Sequence, residues 1–199
     1  MDIEKNIEKI RADFPILKRT MSNYPVDYLD NCATTLKPRQ MIDAVVNYYT
    51  YLGANAHRGD YEMSAQVDFH YEEARKRTAQ FIHAASEKEI VFTSGSTESL
   101  NILAMAITNQ KLQEGDVVLS MQSEHASSVL PWLEAGESKG VEVRFIPLTP
   151  EGKVTVENFL SVLDEKVKVV AIAQVSNVLG YEAPVKEIAR ICREKGILT

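Results

Sequence analysis

An α/β fold, a mostly parallel sheet covered by helices with a short helical arm in front of it, is what this sequence predicts. Two observations carry the prediction. Apolar runs at residues 89–93, 116–120, 141–148 and 167–174 alternate with helical stretches that begin near Thr97, Ala126, Val156 and Val185, the strand and helix alternation of parallel sheets. No internal repeat or low-complexity segment asks for a second architecture.

Taken in order, Ile3, Ile7 and Ile10 recur at helical spacing behind a cap at Asp2, and Pro15 stops the pattern, which predicts the amphipathic arm. After a loop rich in turn formers, Tyr28 and Leu29 read as a brief extended piece. Pro38 starts a helix that runs to about Leu52, where Gly53 ends it. A second helix over 64–82 places Val67, Tyr71, Ala74, Thr78 and Phe81 on one face. The last helix closes at Lys195-Gly196, and Ile197-Leu198-Thr199 reads as the opening of a further strand. The expected organisation is an N-terminal helical arm, residues 1–20, and an incomplete large domain, residues 21–199.

Composition narrows the function classes. With 199 residues and 45% hydrophobic content the chain can bury a sizeable core. Its net charge of -6 comes from intermixed acidic and basic residues with no basic block, so no nucleic-acid partner is expected. No apolar run is long enough to cross a bilayer, so no membrane role is expected either. Cys32 and Cys192 are too few for a disulfide framework, which fits a reducing, cytoplasmic setting. No two histidines have metal-ligand spacing, so no metal site is expected.

In an open parallel sheet, ligands gather beyond the carboxyl ends of the strands. Three polar clusters fall there. Ser94-Gly95-Ser96-Thr97 joins a glycine turn and hydroxyls to a helix start, whose free N–H groups suit a phosphate; the same residues also serve as an ordinary helix cap. Ser123-Glu124-His125 follows a strand, and its histidine precedes a helix, where an imidazole can stack on a flat ligand, move a proton, or simply bond into its loop. Ser176-Asn177 follows the fourth run. Separately, His57 and Arg58 share a loop with Asn55 and Gly59, where a guanidinium can grip a carboxylate or lie in solvent. Cys32 has no obvious base beside it and reads as buried filling rather than a nucleophile, and Cys192 reads as core.

The stretches Tyr28-Leu29-Asp30-Asn31-Cys32-Ala33-Thr34, Asn55-Ala56-His57-Arg58-Gly59, Phe92-Thr93-Ser94-Gly95-Ser96-Thr97-Glu98, Glu124-His125 and Val175-Ser176-Asn177-Val178-Leu179-Gly180, in this order, resemble the class V aminotransferase family of fold-type I pyridoxal-phosphate enzymes. Within it they are most similar to the group II cysteine desulfurases, the selenocysteine-lyase type. The resemblance implies pyridoxal 5'-phosphate as cofactor, with Ser96 and Thr97 on its phosphate and His125 stacked on its ring as a catalytic group. Asn177 falls at the substrate and cofactor edge, and Ala33, His57 and Arg58 fall in a region near the substrate that is partly contributed across a dimer interface. It further implies conversion of L-cysteine to L-alanine with sulfur carried as an enzyme persulfide, a homodimer, a sulfur-acceptor protein and a role in iron-sulfur cluster assembly.

The family pattern also calls for a lysine in a Ser-x-His-Lys type motif and a persulfide cysteine, and neither occurs among these residues, so this chain alone is expected to be inactive. Cys32, Ala126, Gln174 and Asp60-Tyr61 depart from the usual residues near the substrate. Another class V activity (selenocysteine lyase, aminotransferase or epimerase) and a non-catalytic binding or dimerisation module are the alternative readings.

Overall fold

The computed structural model describes residues 3–199; the cap expected at Asp2 lies outside the described residues. Two compact units divide the chain, residues 1–91 and 92–199.

The first unit opens with α1 (Ile3–Ala12), closed by a single 3-10 turn at Pro15–Lys18. A miniature hairpin follows, β1 (Thr20–Met21) against β2 (Tyr24–Pro25), turned by Ser22 and Asn23 at positive φ. Two successive left-handed residues match the twist of a tight hairpin, and this turn was not anticipated from the sequence. Tyr28 and Leu29, expected to be extended, lie in irregular chain, where the Tyr28 hydroxyl donates to the carbonyls of Asp30 and Thr34. α2 (Arg39–Asn47) widens into a π-helical turn at Tyr48–Leu52, and Gly53 ends it at φ 35°, a left-handed stop that a residue without Cβ accepts most readily. α3 (Glu62–Phe81) buries Ser64, Val67 and Ala79. Phe81, expected on the covered face, is instead 85% exposed, because within the unit α3 is met mainly by the short turns at Tyr48–Leu52 and Glu87–Glu89.

The second unit carries the sheet. The apolar run 89–93 does not form a strand: Ile90 is buried, but Val91 and Phe92 are exposed and the run joins neither sheet, and a strand exists only as part of a sheet. α4 (Ser96–Lys111) leads to β3 (Val117–Met121), α5 (Ala126–Glu137), β4 (Glu142–Ile146), α6 (Val156–Ser161), β5 (Val167–Val170) and α7 (Val185–Glu194). The strands are parallel in the order β4-β3-β5, with register Val118↔Val143 on one side and Leu119↔Val170 on the other. Leu198 adds an isolated parallel bridge to Val169, the opening of the strand expected from residue 197 onward.

Central β3 is buried along its whole length, which is why it reads as a continuous apolar run. Its side chains divide between two cores. Val117, Leu119 and Met121 join Phe159, Ile188 and Cys192 on one face, while Val118 joins Ala104, Trp132 and Val141 on the other. Each fully buried aliphatic side chain of this kind contributes about 1.5–3 kcal/mol. Where α4 ends, the Lys139 ammonium donates to the carbonyls of Thr108, Asn109 and Leu112 at 2.9, 2.9 and 3.1 Å, satisfying acceptors that a helix terminus leaves open. On β4, Arg144 donates to Glu142 at 3.2 Å, to Asp164 at 2.8 Å and to the Val162 carbonyl at 3.3 Å.

Candidate functional site

The carboxyl ends of β3 and β5 and the start of α4 carry the candidate residues of the second unit. Gly95 precedes α4 in extended conformation, and a Cβ there meets nothing within 4 Å, so the approach to the first turn is open. Ser96 and Thr97 occupy that turn and are exposed. Around them Glu98 takes the Ser94 amide at 2.6 Å and the Ser94 hydroxyl at 2.7 Å, which holds its carboxyl below the usual range, and Thr93 and Ser99 share a 2.7 Å hydroxyl bond. The first amides of a helix have no intrahelical acceptor, so this turn offers donors and positive potential to an anion.

His125 caps α5. Its Nδ1 accepts the Ser127 amide at 3.2 Å and lies 2.7 Å from the Ser127 hydroxyl, so the neutral ring carries its proton on Nε2. The ring itself is exposed. Thr97 of α4 and Ala126 and Ser127 of α5 line one cavity of about 730 Å³ that continues along α5 to Val141 and Val143, with Ser96, His125 and Asn177 outside its lining.

Asn177 is exposed on a turn anchored by buried Ser176, whose hydroxyl accepts the amides of Val178 and Leu179 at 3.4 and 3.0 Å. Glu124 stands in the polar cluster with His125, where the sequence assigns it no role. It is partly buried between β3 and His125, and its carboxylate accepts the Ala173 amide. Burial pushes its carboxyl above the ordinary range, against the pull of hydrogen bonds from Ala173, His125 and Ser128. Ser123 beside it keeps a buried hydroxyl without a partner among the described residues.

Ala33, His57 and Arg58 belong to the first unit. Ala33 is exposed in a turn closed by its amide on the Asp30 carbonyl at 3.2 Å. His57 sits at φ 59° and is clasped from α3: its amide donates to Asp68 at 2.5 Å, and its ring nitrogens lie 3.5 Å from Asp68 and 3.5 Å from Glu72. Arg58 is exposed next to it. Cys32, expected to be filling, is exposed, whereas Cys192 is buried as expected and its thiol is pushed up by that burial. Among the described residues no group of three or more His, Cys, Asp or Glu is placed to hold a metal ion.

The model of the family described as aminotransferase class-V matches residues 27–199. This chain belongs to the class-V aminotransferase family. Members of that family, cysteine desulfurases among them, are pyridoxal-phosphate enzymes, and the parallel sheet of this class-V chain is theirs. It is 38% identical over 193 residues to a probable cysteine desulfurase of Vibrio cholerae, covering 97% of this chain and 48% of that protein. It is 39% identical over 190 residues to a cysteine desulfurase of Salmonella typhimurium, covering 96% and 47%. The class-V chain thus spans about half the length of the curated relatives it matches. Among solved structures, the apo cysteine desulfurase from Thermococcus onnurineus superposes with a TM-score of 0.85 at 34% identity, over 96% of this chain and 45% of that one. The Escherichia coli cysteine desulfurase CsdA, in an S-sulfonic acid form, gives 0.82 at 29% identity, over 96% and 47%.

Do the residues present fit a pyridoxal phosphate? An open helix start carrying two hydroxyls suits its phosphate, and an exposed imidazole anchored at Nδ1 suits the face of its ring. They fit.

Proposed function

We propose that these residues belong to a cytoplasmic pyridoxal-phosphate-dependent cysteine desulfurase and supply the phosphate cup and one ring face of its cofactor site. The observation that carries this reading is that Thr97 at the start of α4 and the first residues of α5, behind His125, line one cavity. In this reading residues 1–20 are a helical arm and residues 21–199 are part of the cofactor-binding large domain.

Bound there, the cofactor supplies an electron sink for the bonds around the substrate's α-carbon. The side chains of this chain do the holding. The first-turn amides and hydroxyls of Ser96 and Thr97 bind phosphate oxygens, and the positive end of α4 offsets their charge. His125, tethered at Nδ1, covers the ring face and keeps Nε2 for proton movement. Asn177 serves the edge shared by cofactor and substrate. Ala33, His57 and Arg58 serve a substrate region partly contributed across the dimer interface, where the Arg58 guanidinium suits a carboxylate, and the Asp68 and Glu72 contacts hold the His57 ring in place. The sulfur of L-cysteine passes to an enzyme thiolate as a persulfide and on to an acceptor protein for iron-sulfur cluster assembly, while the carbon skeleton leaves as L-alanine. The working unit is a homodimer.

The test uses pyridoxamine phosphate, an amine form that needs no lysine, titrated into the 199-residue chain. Ser96→Ala with Thr97→Val is expected to weaken binding about tenfold or more, the scale of charge-assisted hydrogen bonds; unchanged affinity overturns the phosphate cup. No Ser-x-His-Lys sequence is present, so borohydride reduction with pyridoxal phosphate is expected to label no single lysine and L-cysteine to yield no alanine. One defined labelled lysine with alanine production refutes that expectation. In the whole protein, sulfide and alanine from L-cysteine support desulfuration, and transamination dependent on a keto acid supports a different class V activity.

A further inference from the structure

β3 and β5 remain paired only briefly. The Ala171 amide still donates to the Leu119 carbonyl at 2.8 Å, and beyond it the two chains enter the loops that carry His125 and Asn177. Two residues on, the Ala173 amide points to the same side of its chain but has no strand carbonyl opposite. It donates to Oε1 of Glu124 instead. The His125 backbone and the Ser128 side chain also act on this carboxylate, favouring its charged form. The Glu124 amide in turn donates to the Met121 carbonyl at 3.2 Å, fixing the turn to the end of its strand. A glutamate rarely withdraws from water unless its oxygens are matched, and the Ala173 amide on the other loop matches one of these.

We propose that Glu124 is a positioning residue: its carboxylate continues the β3–β5 ladder by one side-chain rung and holds the loop bearing His125 against the segment leading to Asn177. The consequence for a cofactor rests on the reading given above, in which those two residues border the ring. The Glu124 carboxylate touches neither cofactor nor substrate in this role. It sets the separation of the two loops that do.

The experiment measures amide hydrogen exchange and His125 ring nitrogen shifts by NMR in the 199-residue chain and in Glu124→Ala and Glu124→Gln. In Glu124→Ala the protection of the Ala173 amide should fall about tenfold or more, the loss of one charge-assisted bond, while Ala171 keeps its protection. The His125 ring signals should shift in the same variant. Glu124→Gln retains an acceptor oxygen and should restore both. Unchanged Ala173 protection in Glu124→Ala overturns the proposal, and so does equal loss at Ala171 and Ala173 in both variants, which is the mark of general core support. Pyridoxamine phosphate is titrated in parallel, with weaker binding expected in Glu124→Ala than in Glu124→Gln. A parent chain that binds none of it sinks the cofactor reading and leaves the exchange result standing, so the two ideas fail separately.

Discussion

Glu124 illustrates what one residue does when its solvation and its partners disagree. Burial lifts its carboxyl while three donors pull it down, and burial wins. Because the folded state then holds a proton more tightly than the unfolded chain, the contribution to stability is complete below the ordinary carboxylate value and declines as pH rises through the raised one. We therefore expect thermal unfolding of the parent chain to lose stability across that window and Glu124→Gln to lack this component of the slope; parallel slopes for both proteins contradict it. The candidate residues Ser96, Thr97, His125 and Asn177 could be nominated from the sequence because each stands in a local pattern of glycine, hydroxyl or histidine at a strand-to-helix junction. The bond made by Glu124 was not readable there, since its partner Ala173 lies 49 positions away and nothing in the local sequence announces it.

At the scale of elements, α5 returns the chain to β4 through a contact that only glycine permits. Gly136 is buried near the helix end, and a Cβ placed on it would stand 2.9 Å from the Val141 carbonyl, a backbone atom that cannot swing aside. Gly136→Ala should destabilise by about 1–3 kcal/mol, the usual cost of forcing a methyl into a packed site, and a denaturant midpoint equal to that of the parent chain would refute it. The helices beginning near Thr97, Ala126, Val156 and Val185 and the strands around 117, 142 and 167 follow the sequence periodicity closely. The expected strand at 89–93 does not form, because periodicity reports a residue's preference whereas pairing depends on a neighbour. Phe81 likewise shows a helical pattern without a surface to cover it.

For the molecule as a whole, the apolar residues are unevenly shared between the two units. Both core clusters lie within residues 92–199, whereas the first unit leaves Tyr49, Tyr51, Phe69 and Phe81 exposed. Residues 92–199 expressed alone should therefore show a cooperative thermal transition, and residues 1–91 alone should not. Calorimetry on the two pieces decides it: a non-cooperative melt of the larger piece, or a sharp transition in the smaller, contradicts the assignment of the core. The α/β class was legible from strand and helix alternation, but the division at residue 91 was not, since it depends on which apolar faces find each other across the chain.

Arg144 has a further consequence. β4 is bonded to β3 along one side, and along the other no strand accompanies it among the described residues. A bare row of amides and carbonyls is a template on which a foreign extended segment can assemble. The guanidinium, with Glu142 and Asp164 gathered around it, sets charge on this outer strand, and ion pairs open to solvent add little to folding itself. An apolar side chain in its place should therefore raise the tendency to associate edge to edge, which light scattering of Arg144→Leu would register.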